Sequence, residues 1–523
     1  MAEYIVTVKE GVDWQEVHNE LVARGKTVLK LRPNNPRNTH YDLNRIEAED
    51  LRRDERILAV QENDFWIEKT AFQTNDTNWV NNTGGSPWSL VRHTSATNLY
   101  GADSTLSNHT YDYVLDGTGV DVVIVDSGIN PDHDEFKDAS GNSRVKKIDW
   151  YAEAGLSGTS TDNNSFYSDV DGHGTAVAGV IAGLTTGWAK NANIYSIKMP
   201  LFGVDNAGAI SVSDMFDCIL GWHNAKGGSR PTVVNFSWGN IAGFYTALAI
   251  GYPLRLPDWD YDPARPTTGG VYRGTAHNDV NPIKWRENYG FLGHYGSPPA
   301  QGIFVGPSHA PSTDADVKTL ADAGIMFCIG AGNYNNKAVK PDEEDYDNHF
   351  TFTGTGDGDT NNQDYIFDNG KYYYHRPSSP NFYAGTHSTT PVPGLYVGAM
   401  DSTAYSSTLN RRMDWSNNGS VVDLYAVGTN RRAPSPSSNS AYRSFGGTSN
   451  ASPEVAGMCA LLLQAHPDWT PQQVTNWMKD NATNTIYSAG ATDWDNTYSL
   501  RGGAAKVAYF PLNGQNVFSV SGS

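Results

Sequence analysis

Apolar and polar positions follow a strand and helix pattern over the first 72 residues. Short alternating runs such as "EYIVTV" predict strands, and "DWQEVHNELVAR" has helical spacing with Asp13 as its N-cap. The segments "KTVLKL", "THYDLNRI", "AEDLRRDER" and "ILAVQEND" continue the order as β-α-β-β-α-β. We therefore expect a small α+β, ferredoxin-like domain at 1–72, followed by a polar linker at 73–86.

From about residue 87 the pattern changes to continuous apolar runs that alternate with helical segments. The runs "VDVVIV", "NIYSIKM", "TVVNFSW" and "IMFCIGAGN" are typical of strands covered on both faces. Between them, "TAVAGVIAGL", "SVSDMFDCILGWHNA" and "TDADVKTLADAG" have helical spacing. This alternation predicts a three-layer α/β domain over 87–523, built on a parallel sheet. Near its end, Thr470 is a predicted N-cap, with Pro471 at the first helical position and Gln473 closing a capping box.

Two long segments, at about 240–310 and 334–390, show no sustained period and predict insertions or lids. The first is rich in Tyr, Pro and Gly, and both are candidate surfaces for structural partners. The second contains Asp357, Asp359 and Asp364 in "DGDTNNQD". Their spacing partly matches a calcium loop but lacks the central Gly and the terminal Glu, so a solvated acidic loop is the alternative.

Composition narrows the classes of function. The formal net charge of −19 argues against a nucleic-acid-binding surface. Three cysteines, all in apolar surroundings, predict buried free thiols. No apolar run is long enough to span a membrane, and no basic segment followed by an apolar one marks a secretory signal. We expect an intracellular or phage/virion-associated protein, and a non-classical route of secretion stays open.

Candidate chemistry lies at the ends of the predicted elements. Asp126 closes the apolar run "VVIV", at the sheet edge where α/β proteins place reactive groups. An acid there is equally common as a ribose ligand or a helix cap, but "GTG" at 117–119 precedes the strand and no GxGxxG follows it. His173 lies between two glycines in "DGHGTAVAG", where the alternative to a base is a hydrogen-bonded structural histidine.

Ser449 begins an apolar helix in "GGTSNASPEVAG", where free amides and the helix dipole stabilise negative charge. It could simply cap the helix. A hydroxyl becomes a good nucleophile when a histidine takes its proton and an aspartate orients that histidine. Asn333, in "GAGN" at the end of another strand, is a candidate donor to an oxyanion.

Together these motifs resemble the subtilisin-like serine proteases (subtilases), in the chain order Asp–His–Ser. "VVNFSWG" and "GAGN" lie between them as in that family, and "GVIAGLTTGWAKNANIYSIKM" and "WSNNGSVVDLYAVGT" look like its proteinase K branch. The N-terminal 72 residues resemble the family's inhibitor-like propeptide. The resemblance implies a serine endopeptidase that acts on polypeptides, needs no cofactor and is made as a proenzyme inhibited by its own propeptide.

The resemblance also assigns roles by position. It makes Ser449 the nucleophile, His173 the general acid/base and Asp126 its orienting partner, within hydrogen-bonding reach of one another. Asn333 and the Ser449 amide would bind the oxyanion, and Ser452 would be a bystander. Substrate contacts fall on Asn235, Phe236, Ser237, Trp238 and Gly239, which would pair with an extended peptide, and on Gly330, Ala331 and Gly332, which would line the specificity pocket.

The sequence departs from the family pattern near the nucleophile, where Asn450 replaces the usual Met and Glu454 the usual His. Trp238 stands where a Leu is common, which predicts a bulkier pocket wall. An alternative to an active peptidase is a virion-associated or structural protein of this fold that retains its propeptide and rarely cuts.

Overall fold

The computed structural model describes residues 2–63, 67–69, 88–98, 111, 113–158, 167–200, 208–227, 230–245, 267–278, 303–307, 310–352, 371–373, 391–488 and 498–511. The helices in these ranges are α1 Trp14–Ala23, α2 Arg45–Arg52, α3 Trp88–His93, α4 Trp150–Glu153, α5 His173–Ala182, α6 Val212–Ala225, α7 Pro311–Asp322, α8 Thr448–Ala465 and α9 Pro471–Asn481. The strands are β1 Ala2–Val8, β2 Thr27–Lys30, β3 Asn38–Leu43, β4 Ile57–Glu62, β5 Ile67–Lys69, β6 Asp121–Asp126, β7 Val145–Lys146, β8 Asn193–Lys198, β9 Thr232–Phe236, β10 Trp238–Tyr245, β11 Thr267–Tyr272, β12 Thr275–His277, β13 Ile303–Pro307, β14 Met326–Gly330, β15 His349–Phe352, β16 Lys371–Tyr373, β17 Leu395–Met400, β18 Leu424–Val427, β19 Arg431–Pro434 and β20 Tyr442–Phe445.

The chain divides into two compact units. Unit 1 consists of Met1–Trp66, Asn240–Ala315 and Tyr334–Pro391. Unit 2 consists of Ile67–Gly239, Asp316–Asn333 and Val392–Ser523. The N-terminal segment therefore shares a unit with two internal segments that interrupt the other unit.

The N-terminal part of unit 1 forms a four-stranded antiparallel sheet in the order β2-β3-β1-β4. Asp13 caps α1 by accepting from the Gln15 amide, as predicted. Asn44 and Glu47 form a capping box on α2, which is why β3 ends at Leu43 and does not continue to Ile46. The predicted β-α-β-β-α-β order is confirmed. One apolar core joins the helices to the sheet through Val6, Leu21, Leu43, Leu51 and Ile57.

The two internal segments of unit 1 contain antiparallel strands, although their sequences show no sustained period. Strand β10 pairs with β13, and β11 pairs with β12 and β15. Asp345 is buried there and accepts from Arg273 and Lys337. Strands of this kind are held by cross-strand pairs and buried polar groups, which leave no simple apolar period in the sequence.

Unit 2 is built on a seven-stranded sheet in the order β18-β17-β14-β9-β6-β8-β7, and its strand pairs are parallel. Every residue of β6, β14 and β17 is buried, so both faces of the sheet are covered. Helix α8 packs against β9, β14, β17 and β18, and α5 packs against β6 and α8. The predicted three-layer α/β architecture is confirmed.

The cysteines lie inside unit 2, on α6, β14 and α8. Cys218, Cys328 and Cys459 are free and buried, as expected from their apolar surroundings. The Cys328 and Cys459 Sγ atoms are 3.8 Å apart, so strand β14 and helix α8 pack closely at this point.

Candidate active site

Three adjacent strands of unit 2 end at the same edge of the sheet. Asp126 is the last residue of β6, Ser237 follows β9, and Asn333 lies three residues beyond the end of β14. Parallel strands bring their carboxyl ends to one side, so these residues share one edge. His173 and Ser449 come from the first turns of α5 and α8, two helices that pack against each other.

Asp126 and His173 form a buried pair. The His173 Nδ1 lies 2.7 Å from the Asp126 Oδ1, and the histidine is only 3% exposed. The Phe445 ring packs against the imidazole, with the centroids 5.3 Å apart. Gly174 is required beside it, because a Cβ there would lie 2.1 Å from the Gly128 carbonyl oxygen. The pair therefore holds the imidazole in one orientation, with Nε2 directed away from the aspartate.

A second buried carboxylate, Asp169, joins the two segments that carry this pair. Its Oδ1 accepts from the Ser127 hydroxyl at 2.8 Å and the Gly172 amide at 2.7 Å, and its Oδ2 accepts from Thr175. The Ser127 hydroxyl in turn accepts from the Gly174 amide. Burial raises the pKa of Asp169. Asp169 could not be singled out from the sequence, since an acid four positions before a histidine has no recognisable pattern.

The start of α8 is fixed by Asn333. Its Oδ1 accepts from the Thr448 amide at 2.9 Å and the Thr448 hydroxyl at 3.0 Å. The Gly332 amide donates to the same hydroxyl. Because the amide oxygen of Asn333 faces Thr448, its NH₂ group is directed elsewhere and can serve a ligand. Thr448 was not singled out from the sequence, although it directly precedes Ser449 in "GGTS".

The Ser449 hydroxyl does not donate to the histidine. Its Oγ donates to the Ser237 carbonyl oxygen at 3.1 Å, and Ser449 is fully buried. Among the residues that the structure describes, His173 Nε2 has no hydrogen-bond partner. Of the three residues expected within hydrogen-bonding reach of one another, Asp126 and His173 are hydrogen-bonded, whereas Ser449 makes no hydrogen bond to the imidazole in this structure.

Of the five residues predicted to pair with an extended peptide, Asn235 to Gly239, the first two belong to a strand of the sheet. Asn235 and Phe236 lie inside β9, where β6 pairs with one edge and β14 with the other. Their backbones are therefore committed to the sheet and are not available to an extended peptide, which corrects the assignment of these two residues. Ser237, Trp238 and Gly239 lie beyond the last paired residue of β9.

The segment Gly330–Gly332, expected to line the specificity pocket, is anchored between two neighbours. The Ala331 amide donates to Val397, and its carbonyl accepts from the Asn417 side chain. A Cβ at Gly330 would lie 3.1 Å from the Thr448 carbonyl oxygen, so this segment runs directly beside the start of α8.

The departures from the family pattern have specific partners. Glu454 is fully buried and pairs with the equally buried Arg431 at 2.7 Å, and the Trp188 indole donates to its other oxygen. Asn450 donates to the Val427 carbonyl at 2.8 Å. Trp238 is buried with its ring edge-on to Phe236.

Metal binding stays a prediction. Asp357, Asp359 and Asp364 lie outside the described residues. Within the described ranges, no group of three or more His, Cys, Asp or Glu side chains is arranged to hold a metal ion. No helix in the same ranges has the length and apolar character needed to cross a bilayer.

Comparison with known proteins gives consistent matches. The family model "Subtilase family" (Peptidase_S8) matches residues 117–500. The subtilisin-like proteinase Mp1 of Magnaporthiopsis poae is 25% identical over 365 residues, which are 62% of this chain and 80% of that protein. Cerevisin of Saccharomyces cerevisiae is 23% identical over 478 residues, 89% of this chain and 53% of that protein. This chain thus spans four fifths of the first relative and about half of the second.

A solved structure described as a cold adapted subtilisin-like serine proteinase also matches, at 22% identity and a TM-score of 0.43, covering 81% of this chain and 98% of the other. These relatives give no support to the virion-associated alternative. The family match covers Asp126, His173, Asn333 and Ser449 and agrees with the resemblance inferred from their motifs. The chain therefore belongs to the subtilase family of serine endopeptidases.

Proposed function

We propose that this chain hydrolyses peptide bonds with Ser449 as the nucleophile, His173 as the general acid/base and Asp126 as the group that orients the histidine. The observation that carries the proposal is the buried 2.7 Å hydrogen bond between His173 and Asp126, beside the start of the helix that bears Ser449. The membership of residues 117–500 in the subtilase family supports the same roles.

The chemistry follows from the positions of the protons. As the Ser449 Oγ forms a bond to the scissile carbonyl carbon, its proton passes to His173 Nε2. Asp126 stays ionised and stabilises the imidazolium. The imidazolium then donates its proton to the leaving amine, and water later releases the acyl group by the reverse sequence. The Asn333 NH₂ group and the Ser449 amide would stabilise the oxyanion. The proposed reaction uses no metal or cofactor.

The N-terminal domain is proposed to inhibit the peptidase as a propeptide. Support comes from the resemblance of this β-α-β-β-α-β domain to the inhibitor-like propeptide of the family. Within unit 1 the domain also contacts a later part of the chain. Asn38 donates to the Ser312 carbonyl at 3.0 Å, and Gln61 accepts from the Ser312 hydroxyl at 2.9 Å. Ser312 lies in the first turn of α7, so side chains of the N-terminal sheet hydrogen-bond to the start of that helix. The location of the protein and calcium binding stay predictions from sequence.

A serine-directed covalent probe tests the central proposal. The full chain is incubated with a fluorophosphonate, digested, and the labelled peptide is identified by mass spectrometry. We expect the label on Ser449, lost in Ser449→Ala and retained in Ser452→Ala. Labelling of another residue, or hydrolysis of a peptide substrate by Ser449→Ala at the wild-type rate, would contradict the assignment.

A further inference from the structure

A partly exposed arginine lies next to the segment that carries His173. Strand β20 ends at Phe445, whose ring packs against the imidazole with the centroids 5.3 Å apart. Arg443 lies two positions earlier on the same strand and is partly exposed. Side chains two positions apart on a strand point to the same face. Phe445 and Arg443 therefore face the histidine and the residues before it together.

Arg443 contacts the backbone directly before the histidine. Its Nη1 donates to the Asp171 carbonyl oxygen over a long 3.4 Å. A Cβ at Gly172 would lie 2.7 Å from the same nitrogen, so the absence of a side chain at Gly172 makes room for the guanidinium. Gly172 immediately precedes His173. The positive charge of Arg443 thus lies against the residue next to the proposed base.

The Arg443 guanidinium has donors to spare. It carries five N–H groups and no acceptor, and the bond just described serves only a neutral carbonyl. Within the described part of the chain, Arg443 forms no ion pair with a carboxylate. An arginine binds a carboxylate through two parallel N–H···O bonds, in a planar geometry that a lysine does not offer. The group that best completes the bonding of Arg443 is therefore a carboxylate supplied by a ligand.

The leaving part of a substrate passes close to this guanidinium. In the proposed reaction His173 gives its proton to the leaving amine, so the first residue after the scissile bond lies against the imidazole. The heavy atoms of such a transfer are about 2.6–3.2 Å apart. Each further residue of an extended chain adds at most about 3.3–3.6 Å. The first two residues after the scissile bond therefore stay within about 10 Å of the imidazole.

We propose that Arg443 determines specificity by binding an acidic side chain in the first two residues after the scissile bond. The substrate class is thus a polypeptide with Asp or Glu at one of these positions. This inference rests on the proposed function and adds a preference to it. The net charge of −19 does not oppose it, because charges more than about 8 Å away are largely screened at physiological ionic strength.

The test compares peptides that are identical except for Glu or Gln at the first or the second residue after the scissile bond. Gln is the matched control, because it has nearly the shape of Glu without the charge. We expect the wild type to cleave a Glu peptide with a kcat/KM about fivefold above that of its Gln counterpart, as for a solvent-exposed ion pair. Mass spectrometry of the products checks that the same bond is cut. The ratio should fall toward one in 1 M NaCl, where screening reaches about 3 Å.

Variants assign the preference to one side chain. Arg443→Gln should bring the Glu-to-Gln ratio to one, and Arg443→Glu should favour a Lys peptide over the Gln peptide. Arg432→Gln is the matched control on the neighbouring strand. The Arg432 guanidinium lies over the Tyr442 ring, 3.5 Å from its centroid, and the ratio should persist without it. The rate of fluorophosphonate labelling of Ser449 shows which variants assemble the site, independently of peptide charge.

The outcomes separate this inference from the function on which it rests. If the wild type cleaves Glu and Gln peptides equally at both positions, or if the preference survives in a labelled Arg443→Gln, Arg443 does not determine specificity while peptide hydrolysis stands. If Arg443→Gln is not labelled, Arg443→Lys decides: a lost preference in that charged variant, together with a salt-independent ratio in the wild type, would overturn the ion pair. If no peptide is cleaved and Ser449 is not labelled in the wild type, the proposed function itself fails.

Discussion

Two serines near the start of helix α8 have different surroundings, and these surroundings favour different roles. Ser449 lies at the helix start beside the Ser237 carbonyl, whereas Ser452 lies one turn further and donates to Asn235. Ser452 was expected to be a bystander. It has no proposed part in the chemistry, but its hydroxyl is one end of a hydrogen-bond chain that runs through Asn235 to the Ser237 hydroxyl.

We expect alanine at these two positions to separate activity from stability. Ser449→Ala should reduce kcat by about 10⁶-fold, the figure known for a subtilisin and transferred to this relative. Ser452→Ala leaves the buried Asn235 oxygen without its donor and should lower the free energy of unfolding by about 1–3 kcal/mol. Peptide hydrolysis by both variants measures the change in kcat, and urea unfolding measures the change in the free energy of unfolding. A 10⁶-fold loss in Ser452→Ala would contradict the roles.

The side-chain oxygen of Asn333 accepts from Thr448 at the start of α8, and its NH₂ group is the proposed donor to the oxyanion. These two functions can be tested separately. Asn333→Asp keeps an oxygen acceptor for Thr448 but removes the NH₂ donor, so the helix start should be preserved. We expect kcat to fall by about 10²–10³-fold, as for removal of one oxyanion donor in a subtilisin. The melting temperature should change little. Asn333→Ala, which removes both groups, should reduce kcat and also destabilise the protein. Equal stability losses in the two variants would contradict this division.

At the residue scale, the sequence could identify side chains but not backbone groups. Asp126, His173, Asn333 and Ser449 could be singled out because each begins or closely follows a periodic segment. The Ser237 carbonyl could not, since every residue has one and only the fold selects which oxygen meets the nucleophile. The commitment of Asn235 and Phe236 to the sheet was missed for the same reason: both edges of β9 are occupied by strands distant in sequence.

At the scale of elements, helix α8 is tied to the hairpin β19–β20 by a buried ion pair. Glu454 on the helix and Arg431 on β19 are both fully buried, and Arg431 also donates to the Thr186 carbonyl. A charge in such a place is tolerated because its partner and hydrogen bonds compensate for lost hydration. The pair therefore fixes the hairpin that leads into the segment bearing Ser449, the proposed nucleophile.

Breaking this pair from one side should cost more than removing both charges. Glu454→Gln leaves Arg431 as an uncompensated buried charge, and we expect a loss of about 3–5 kcal/mol in the free energy of unfolding. The double variant Arg431→Met with Glu454→Leu should lose clearly less than the sum of Arg431→Met and Glu454→Leu measured singly. Urea denaturation of the three variants and the wild type gives this comparison. Strict additivity would mean that the two charges do not interact.

The turn after α5 contains a buried ammonium group with a measurable pH signature. The Lys190 Nζ donates to the Leu184 and Gly187 carbonyls at 3.0 and 2.8 Å. Burial lowers the pKa of Lys190 to about 8, whereas an unfolded lysine titrates near 10.4. Between these two values the unfolded chain keeps a proton that the folded chain has released. Folding is therefore favoured increasingly as the pH rises through this window.

We expect the wild type to gain stability relative to Lys190→Met between pH 8 and about 10.5, by roughly 3 kcal/mol at most. Below pH 8 the difference should be constant, because both states of the wild type are protonated there. Unfolding measured at matched pH values in the two proteins removes the contribution of other alkaline groups. If the stability of the wild type relative to Lys190→Met instead falls over this range, the hydrogen bonds to the carbonyls raise the pKa of Lys190 more than burial lowers it.

The elements themselves were largely predictable. The N-terminal order, the capping box at Thr470 and Gln473 and the parallel sheet follow from local spacing. The strands β11, β12 and β15 could not be predicted in this way. Gly- and Thr-rich segments such as "TTGGVY" pair through backbone hydrogen bonds and show little apolar period. Helix α5 begins at His173 itself, since Gly172 adopts a left-handed conformation with φ of 86° and ends the preceding turn.

At the scale of the whole molecule, the N-terminal segment belongs to a unit that also includes residues from the middle of the chain. Within that unit, Asn38 and Gln61 contact Ser312, although about 250 to 270 positions separate them in sequence. The proposed propeptide therefore makes native contacts outside its own domain.

We expect the chain to cut itself once folded. Cleavage between about residues 65 and 80 should appear in the wild type by mass spectrometry and should be absent in Ser449→Ala, which lacks the proposed nucleophile. Mixing a trace of active wild type with Ser449→Ala distinguishes cleavage within one molecule from cleavage between molecules. A wild-type chain that stays intact while it hydrolyses added peptides would argue against the proenzyme.

The buried cysteines make the folding of unit 2 observable by chemistry unrelated to proteolysis. The Sγ atoms of Cys328 on β14 and Cys459 on α8 lie 3.8 Å apart, between the strand that leads to Asn333 and the helix that carries the proposed nucleophile Ser449 in its first turn. Burial raises the pKa of the Cys328 thiol. While the two elements stay packed, the thiol is therefore both inaccessible to an alkylating reagent and protonated, and it does not react. In the Ser449→Ala background, where opened molecules are not digested, the rate of alkylation reports how often that interface comes apart.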